Sequence, residues 1–409
     1  MNSFADKVAK LCLQKYNSLK KTGKPTSNEW TVLSGIVLEN INGTLSVVSL
    51  TTGTKCLGGS DLLNTEIWER GSRLSDSHAE ILARRAFLRY LYDQLDLLLN
   101  DQKSDVFALD STDKIGIKPG ILFHFFSTQT PCGDCSIFPK EAKVLDEEIN
   151  PPAKIRKISA LSEASNDSSL ITTKKNCRII SDIYRTGAKC VSTEERQDLL
   201  EPGINYHVLG SLRTKPGRGD PTLSLSCSDK LAKWNILGVQ GSFLSLLIAP
   251  LRLESITIGG GSPFSQEAME RGLYKRFGND VARLKIFQAT ESFIHLKGTL
   301  RTQPCPTSII WCSVRNRELE VAVEGRKQGA TKKRKGNLLL ISRRELLRIF
   351  LRIIEKYKGI DSEQRHPKKI GYYQFKQWSN LYQEAWKQLR LKKFHAWPTK
   401  PLESQDFIL

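Results

Sequence analysis

Two short motifs in this sequence combine residue types that can bind a metal ion and move a proton. The first is His78-Ala79-Glu80, at the start of a segment with helical periodicity. The second is "TPCGDCSIF", which contains Cys132 and Cys135 and follows the strand-like run "GILFHFFST". A histidine nitrogen and two thiolates fill three of the four tetrahedral positions of Zn²⁺ and leave one open for water. The spacing therefore predicts a catalytic metal site, because structural zinc sites have four protein ligands.

The order of the two motifs, His-x-Glu, then a strand, then Pro-Cys-x-x-Cys, is the signature of the zinc deaminases. Zinc lowers the pKa of a bound water toward neutrality, and Glu80, which is not a ligand in this pattern, can take and pass on the proton. His78 and Glu80 taken alone would also suit an ordinary solvated helix start. Together the motifs indicate deamination of a nucleobase, without distinguishing cytidine from adenosine.

A third segment, "LSLSCSDKLAKWNILGVQGSFLS" at 223–245, places Cys227 just ahead of a second predicted helix. Cys227 is therefore an alternative to Cys135 as the third metal ligand. The residues by themselves leave both thiols open.

Both predicted helices carry paired cations among the side chains that should be apolar. Arg84 and Arg85 share an arc with Ile81 and Leu88, and Lys230 and Lys233 share a face with a tryptophan and a leucine. Snorkelling to the rim would explain one such helix. Two helices, each adjoining candidate metal ligands, indicate instead that the cations converge on a buried anion of high charge, because buried cations need partners.

Composition predicts a globular protein with a polyanionic partner. The chain has 409 residues, 39% hydrophobic, and 62 Lys plus Arg against 43 Asp plus Glu, which gives a formal charge of +19. The N-terminus lacks a signal-peptide pattern and the longest apolar run, 243–251, is too short to cross a bilayer. We expect a soluble, intracellular protein, nuclear or cytoplasmic, whose nine cysteines are mostly reduced.

The pattern of elements predicts one α/β domain over 1–409. Strand-like runs ("GILFHFF", "ESITIGG", "SIIWCSV", "ELEVAV") alternate with helical patterns after Asp76, Ser228, Ser342 and Tyr373. The polar segment at about 141–175 is predicted to be a flexible insertion. The run 324–337 is predicted to be a basic loop, and its "KKRK" suits a nuclear signal or an RNA contact.

The segments "DSHAEILARRAFLRYLY", "TPCGDCSIF" and "SCSDKLAKWNILGVQGSFLS" resemble the catalytic domain of the adenosine deaminases acting on RNA and of their tRNA-specific relatives. The resemblance extends from Thr51 to Phe407. It implies a cytidine-deaminase-like core sheet flanked by helices, with a C-terminal helical extension that encloses a buried inositol hexakisphosphate. It also implies that His78, Cys132 and Cys227 bind zinc and that Glu80 moves the proton, since the double-stranded RNA editors have no cysteine at the position of Cys135.

The same resemblance supplies the anion that the buried cations require. Residues matching family positions around the inositol phosphate are Arg84, Arg85, Lys230, Lys233, Trp234, Gln240, Arg343, Tyr372, Lys376, Tyr382, Trp397 and Lys400. Arg343 stands where the editors have lysine and Lys233 where they have arginine. Trp386 stands where the family has a cation, with Lys387 following it, which puts that contact in question.

The implied substrate is tRNA, and no membrane or obligate protein partner is evident. The basic runs 212–227 and 325–333 resemble the tRNA-specific members, which convert the adenosine 3′ of the alanine tRNA anticodon to inosine. Ordinary solvated turns would also explain these runs. The expected substrate contacts are Thr54, Lys55, Arg213, Lys215 and Arg218.

Three alternatives to a tRNA adenosine deaminase stay open. They are a double-stranded RNA editor, a cytidine deaminase, and a catalytically inactive RNA-binding module in which zinc and polyphosphate serve only to fold the chain. Retention of Glu80 argues against the last of these, because a structural metal site does not need that carboxylate.

Overall fold

The computed structural model describes residues 3–140, 143–144, 179–180, 182–217, 219–279, 281–330, 337–365 and 370–409. Apart from 143–144, the predicted insertion at 141–175 lies outside the described residues. So do Arg218 and the "KKRK" run at 332–335. The assignment of the whole chain to one domain stays a prediction.

An eight-stranded sheet forms the centre of the molecule. Its strands are β1 (Leu33–Glu39), β2 (Leu45–Thr52), β3 (Leu122–Ser127), β4 (Ser255–Gly260), β5 (Lys285–Ser292), β6 (Thr307–Cys312), β7 (Leu319–Val323) and β8 (Arg326–Lys327). They lie in the order β5-β4-β3-β1-β2-β6-β7-β8. Strands β3, β4 and β5 are parallel to one another, and the remaining neighbours are antiparallel.

Helices flank this sheet, as the family resemblance implies, and they pack on both of its faces. The longer helices are α1 (Phe4–Ser18), α2 (Ala79–Leu99), α3 (Cys227–Leu237), α4 (Gln266–Leu273), α5 (Arg343–Lys356), α6 (Tyr372–Gln377) and α7 (Asn380–Lys392). Short helices are Gly59–Leu63, Gly241–Leu244 and Ser362–Arg365. Among the described residues, no helix has the length and apolar character needed to cross a membrane.

Short strand pairs connect the main elements. They are Glu29–Trp30 with Gln303–Pro304, Thr54–Cys56 with Asp76–His78, Phe107–Leu109 with Ile115–Ile117, Lys143–Val144 with Ile179–Ile180, and Lys189–Cys190 with Arg213–Thr214. The second of these pairs leads directly into α2.

Strand β1 shows how the sheet is fixed between its helices. Leu33 and Val37 pack with α1 on one face, while Ile36 and Leu38 pack with α2 on the other. Alternate side chains of a strand point to opposite faces, so a strand that is apolar at successive positions must be covered on both sides. The N-terminus of α2 lies at the end of β2, where the Thr51 hydroxyl donates to the Ala79 carbonyl at 2.7 Å.

Candidate active site and adjoining cationic cavity

The ligand atoms of His78, Cys132 and Cys227 all lie within 4.8 Å of one another. His78 Nδ1 is 4.0 Å from Sγ of Cys132 and 3.6 Å from Sγ of Cys227. One imidazole nitrogen and two thiols at these separations suit the tetrahedral coordination of Zn²⁺, with one position open to a water or substrate. The donor set therefore fits a catalytic zinc ion.

Local structure holds each of these three side chains. The Asp76–His78 strand pairs with Thr54–Cys56, and the His78 backbone N–H donates to the Asp76 carboxylate at 3.1 Å. Cys227 begins α3, and its N–H donates to Sγ of Cys132 at 3.3 Å. A glycine is required beside Cys132, because Gly133 has a φ of 101° and a Cβ there would lie 2.3 Å from the Ser226 hydroxyl.

The structure leaves Cys135 out of the cluster. This thiol is fully buried against α4, with Sγ 4.0 Å from the Met269 carbonyl oxygen. Burial raises the pKa of Cys135 to about 12, so the group stays a protonated thiol. Of the two cysteines between which the motifs could not choose, Cys227 is therefore the one that joins His78 and Cys132.

Glu80 is buried at the first turn of α2, two residues after His78. Only 3% of the residue is exposed, and its Oε2 has no hydrogen-bond partner. Burial raises the pKa of Glu80 above its ordinary value. A buried carboxylate without a protein partner for one oxygen is suited to exchange protons with a water or substrate in the same pocket.

Thr54 and Lys55 border the metal cluster on the paired strand. Thr54 lies opposite His78 and Lys55 opposite Ser77. The Thr54 hydroxyl is buried without a hydrogen-bond partner. This hydroxyl is therefore available to a ligand, and the role of Thr54 in binding substrate stays a prediction.

Arg213 and Lys215, predicted from their loop to contact RNA, are in the interior. Arg213 is 0% exposed and donates twice to the Asp198 carboxylate, each time at 2.6 Å. Lys215 is 1% exposed and donates to both oxygens of Asp76, at 2.9 and 2.7 Å. Their side chains hold the fold together and do not present charge to a phosphate backbone, so the interpretation of these two as RNA contacts is corrected.

Asp76 is the residue that the sequence reasoning missed. Its carboxylate accepts from Lys215 and, at 2.5 Å, from Lys230, so part of the charge on α3 has a protein partner. Burial opposes ionisation of Asp76, but Lys215 and Lys230 outweigh burial and hold its pKa well below the usual range. The available signal was an acidic residue two positions before a metal-binding histidine.

A cationic cavity lies next to the metal centre, between α2, α3 and the C-terminal helices. It consists of a chamber of about 1410 Å³ and an adjoining one of about 210 Å³ that share several lining residues. All twelve residues expected around a polyphosphate line one or both chambers: Arg84, Arg85, Lys230, Lys233, Trp234, Gln240, Arg343, Tyr372, Lys376, Tyr382, Trp397 and Lys400.

The cations of this cavity are short of anionic partners. Arg85 donates to the Ile341 carbonyl through Nε, whereas its Nη2 is buried without a hydrogen-bond partner. Burial, with the neighbouring Arg343, lowers the pKa of Arg85 to about 10. Burial, again with Arg343, lowers the pKa of Lys400 to about 7. Such shifts mark a site whose positive charges are close together and shielded from water.

Only two carboxylates, Asp76 and Glu384, are among the described residues that line the cavity. Asp76 already binds two lysines, and the Glu384 side chain is 59% exposed. Among the described lining residues, Asp76 is thus the one buried carboxylate, and it is already committed to Lys215 and Lys230. The lining of the cavity therefore fits an added anion of high charge.

Trp386 takes part in the cavity although it replaces a family cation. It lines both chambers, and Nζ of Lys233 lies 3.4 Å from its ring centroid. The same ammonium is 5.0 Å from the Trp397 ring. Aromatic faces stabilise this buried cation, whose pKa is lowered well below the ordinary value by burial and then by Lys376. Lys387, the next residue, lines the larger chamber.

Comparison with known proteins agrees with this site. The family model of the adenosine-deaminase (editase) domain matches residues 49–401, which include the metal cluster, Glu80 and all twelve cavity residues named above. The chain belongs to the adenosine-deaminase (editase) family. As a member of that family, it is an enzyme that deaminates adenosine.

Relatives in this family differ in how much of their length the chain matches. It is 37% identical to tRNA-specific adenosine deaminase 1 of Drosophila melanogaster, over 98% of this chain and 96% of that protein. It is 32% identical to tRNA-specific adenosine deaminase 1 of Homo sapiens, over 98% and 99% of the two chains. The similarity to the double-stranded RNA-specific editase Adar of Drosophila melanogaster is 33% identity over 68% of this chain and 36% of that protein.

Proposed function

We propose that this adenosine deaminase converts adenosine to inosine in tRNA by zinc-dependent hydrolysis. The observation that carries the proposal is the convergence of His78, Cys132 and Cys227 near Glu80, whose buried Oε2 has no hydrogen-bond partner. The relatives that match over nearly their full length are named as tRNA-specific, which supports tRNA as the substrate class.

The chain's own residues divide the chemical work. His78, Cys132 and Cys227 would hold zinc, which supplies the Lewis acidity that makes a water molecule nucleophilic near neutral pH. Glu80 accepts a proton from the attacking water and delivers it to the purine ring nitrogen. It then takes the second proton from the oxygen now bonded to C6 and delivers it to the amino group, which leaves as ammonia. The raised pKa of Glu80 suits both directions of transfer, because the group then gains and loses a proton closer to neutral pH. Oxygen replaces the amino group at C6.

The proposed target is the adenosine 3′ of the anticodon in alanine tRNA. A base in an anticodon loop is unpaired, so moving it into a buried pocket costs less than extracting it from a duplex. Thr54 contributes an unpartnered hydroxyl to that pocket, and Lys55 follows it on the strand beside the metal ligands. We choose alanine tRNA because the sequences of the basic runs 212–227 and 325–333 resemble those of the tRNA-specific members.

We further propose that inositol hexakisphosphate occupies the cationic cavity as part of the folded core. Arg84, Arg85 and Arg343 would provide guanidinium groups for bidentate contacts with its phosphates. Lys233, Lys376 and Lys400 would contribute point charges. The unpartnered Nη2 of Arg85 and the shortage of carboxylates support an anion of this kind.

The decisive experiment is incubation of the purified protein with total tRNA, followed by inosine mapping. We expect inosine at the position 3′ of the alanine tRNA anticodon. A matched loop with cytidine at that position tests the cytidine deaminase alternative, and a perfect RNA duplex tests the editor alternative. Zinc-loaded protein that binds tRNA but forms neither inosine nor uridine would overturn the proposal in favour of an RNA-binding module.

A further inference from the structure

A surface of alternating cationic and aromatic side chains adjoins the metal site beyond Cys132. We name it the cation–aromatic patch and define it by Lys140, Tyr184, Arg185 and Tyr206. The Arg185 guanidinium carbon lies 4.0 Å from the Tyr206 ring centroid, and Nζ of Lys140 lies 5.8 Å from the Tyr184 centroid. Basic residues interleaved with aromatic rings are a common feature of surfaces that bind unpaired nucleic acid.

Hydrogen bonds tie this patch to the loop that carries a metal ligand. The hydroxyl of Thr186, which follows Arg185, accepts from the Gly133 N–H at 3.1 Å, and Gly133 follows Cys132. On the other side, the Asp134 carboxylate accepts from the Gly210 N–H at 2.7 Å. Since consecutive Cα atoms are about 3.8 Å apart, Arg185 lies within a few residue lengths of the metal site.

A buried network fixes the tyrosine of the stacked pair. His207, next to Tyr206, is 7% exposed; its Nδ1 is 3.0 Å from Asp198, and its Nε2 accepts from the Thr186 N–H at 3.2 Å. Asp198 in turn receives both hydrogen bonds from Arg213. Through Asp198 and His207, the buried Arg213 therefore helps to hold the segment that carries Arg185 against the segment that carries Tyr206.

The guanidinium of Arg185 is accessible to a ligand. Its side chain is 45% exposed, and its ion pair with Asp182 is long, at 3.5 Å, while Asp182 also binds Lys140 at 2.6 Å. Exposed ion pairs of this kind contribute little energy, so they do not prevent another contact. Proteins stack unpaired RNA bases on arginine planes and on aromatic rings, and an arginine already packed on a tyrosine is preorganised for this.

We propose that the Arg185–Tyr206 pair binds a nucleobase of the substrate RNA next to the target adenosine by stacking. This inference rests on the proposed function and adds a determinant of substrate class. An unpaired loop base can leave its neighbours and stack on the protein, whereas a base in a continuous duplex is already stacked and paired. The patch therefore favours loop substrates over duplexes.

The test compares variants at Arg185 with a control arginine from the same segment. Arg185→Lys keeps the charge but removes the planar guanidinium, and Arg185→Gln removes the guanidinium and the charge. Arg196→Gln is the matched control, since Arg196 is also exposed. With an alanine tRNA anticodon stem-loop, we expect kcat/KM to fall about tenfold in both Arg185 variants, within the range of base stacking, and less than about twofold in the control.

Abasic nucleotides identify the base that stacks. They are introduced one at a time beside the target adenosine, and each RNA is assayed with the wild-type protein and with Arg185→Lys. We expect one abasic position to lower wild-type kcat/KM about tenfold and to have little further effect on Arg185→Lys. Unchanged zinc content and melting temperature of Arg185→Lys show that the variant is folded.

Two results would overturn the stacking inference. Full activity of Arg185→Lys would show that only the charge of Arg185 is needed, as for a phosphate contact. If the loss at every abasic position were additive with the loss in Arg185→Lys, Arg185 would not stack on any of the neighbouring bases. Failure of the proposed function is distinguishable, because the wild-type protein would then form no inosine in the intact stem-loop.

Discussion

The metal centre and the cationic cavity meet at Asp76, but they handle buried charge in opposite ways. At the metal centre, three ligands from separate segments converge within 4.8 Å and form a complete donor set for one ion. In the cavity, cations from several helices converge and the described residues provide almost no anion. The first arrangement supports chemistry by the residues that the fold brings together, whereas the second is the proposed site of an added anion.

The largest effect is expected in the cavity. Arg85→Met should leave phosphate oxygens unpaired in a dry interior and remove about 3–5 kcal/mol, by analogy with broken buried ion pairs. The variant should be insoluble or unfolded in a solubility assay, whereas Arg352→Met, at an exposed position of α5, should be soluble. Mass spectrometry of the acid-denatured wild-type protein should detect inositol hexakisphosphate. A soluble, folded Arg85→Met variant, together with no inositol phosphate released from the wild-type protein, would contradict the prediction. The cavity would then need no added anion, and the contrast with the metal centre would disappear.

The second effect concerns the metal alone. Cys227→Ala should lose zinc and activity, because two ligands hold zinc far less tightly than three. Cys135→Ala removes a neighbouring buried thiol and should retain most of both. Metal analysis of the two purified variants makes the comparison. If purified Cys227→Ala still contained one zinc per chain, Cys227 would not be required for zinc binding, and Cys135 would again be the candidate for the third ligand.

The third effect separates chemistry from metal binding. Glu80→Gln should retain zinc and tRNA binding but lose about 10²–10⁴-fold in inosine formation, the range for a positioned acid–base group. Glu320→Gln, at another buried carboxylate, is the control and should keep its activity. Appreciable turnover by Glu80→Gln would make the carboxylate a bystander.

The smallest effect is a pH dependence that reports whether the cavity is filled. The pKa of Lys400 is lowered to about 7 by burial and then by Arg343, whereas an unfolded lysine titrates near 10.4. With no anion, the unfolded state binds more protons between these values, so stability rises from pH 7 to pH 9. A bound polyphosphate raises the folded pKa and removes that rise.

We therefore expect that raising the pH from 7 to 9 changes the melting temperature of the wild-type protein and of Lys400→Met by the same amount. The measurement compares the wild-type protein with Lys400→Met at both values. An increase in the wild-type protein that Lys400→Met abolishes would indicate a cavity without its anion.

The sequence by itself determined the elements and the chemistry that they carry. The spacing of His78, Glu80 and Cys132 predicted a catalytic metal site, since these motifs lie at the ends of short local elements. Apolar patterns predicted strands in the runs 254–260, 308–314 and 318–323, and the structure has strands at 255–260, 307–312 and 319–323. The twelve residues that the family resemblance implied around a polyphosphate all line one or both of the two adjoining chambers.

Only the tertiary structure decided which charged and polar groups pair. It packed Trp386 against Lys233, and it brought Cys227, the ligand that the family resemblance implied, to His78 and Cys132. It also buried Lys215 against Asp76, a partner 139 residues away in the chain. Local spacing cannot predict such contacts, because a cation in a basic loop has the same sequence pattern whether it faces solvent or a distant carboxylate. Burial makes the difference, since a charge removed from water must be matched by whatever group the fold brings to it.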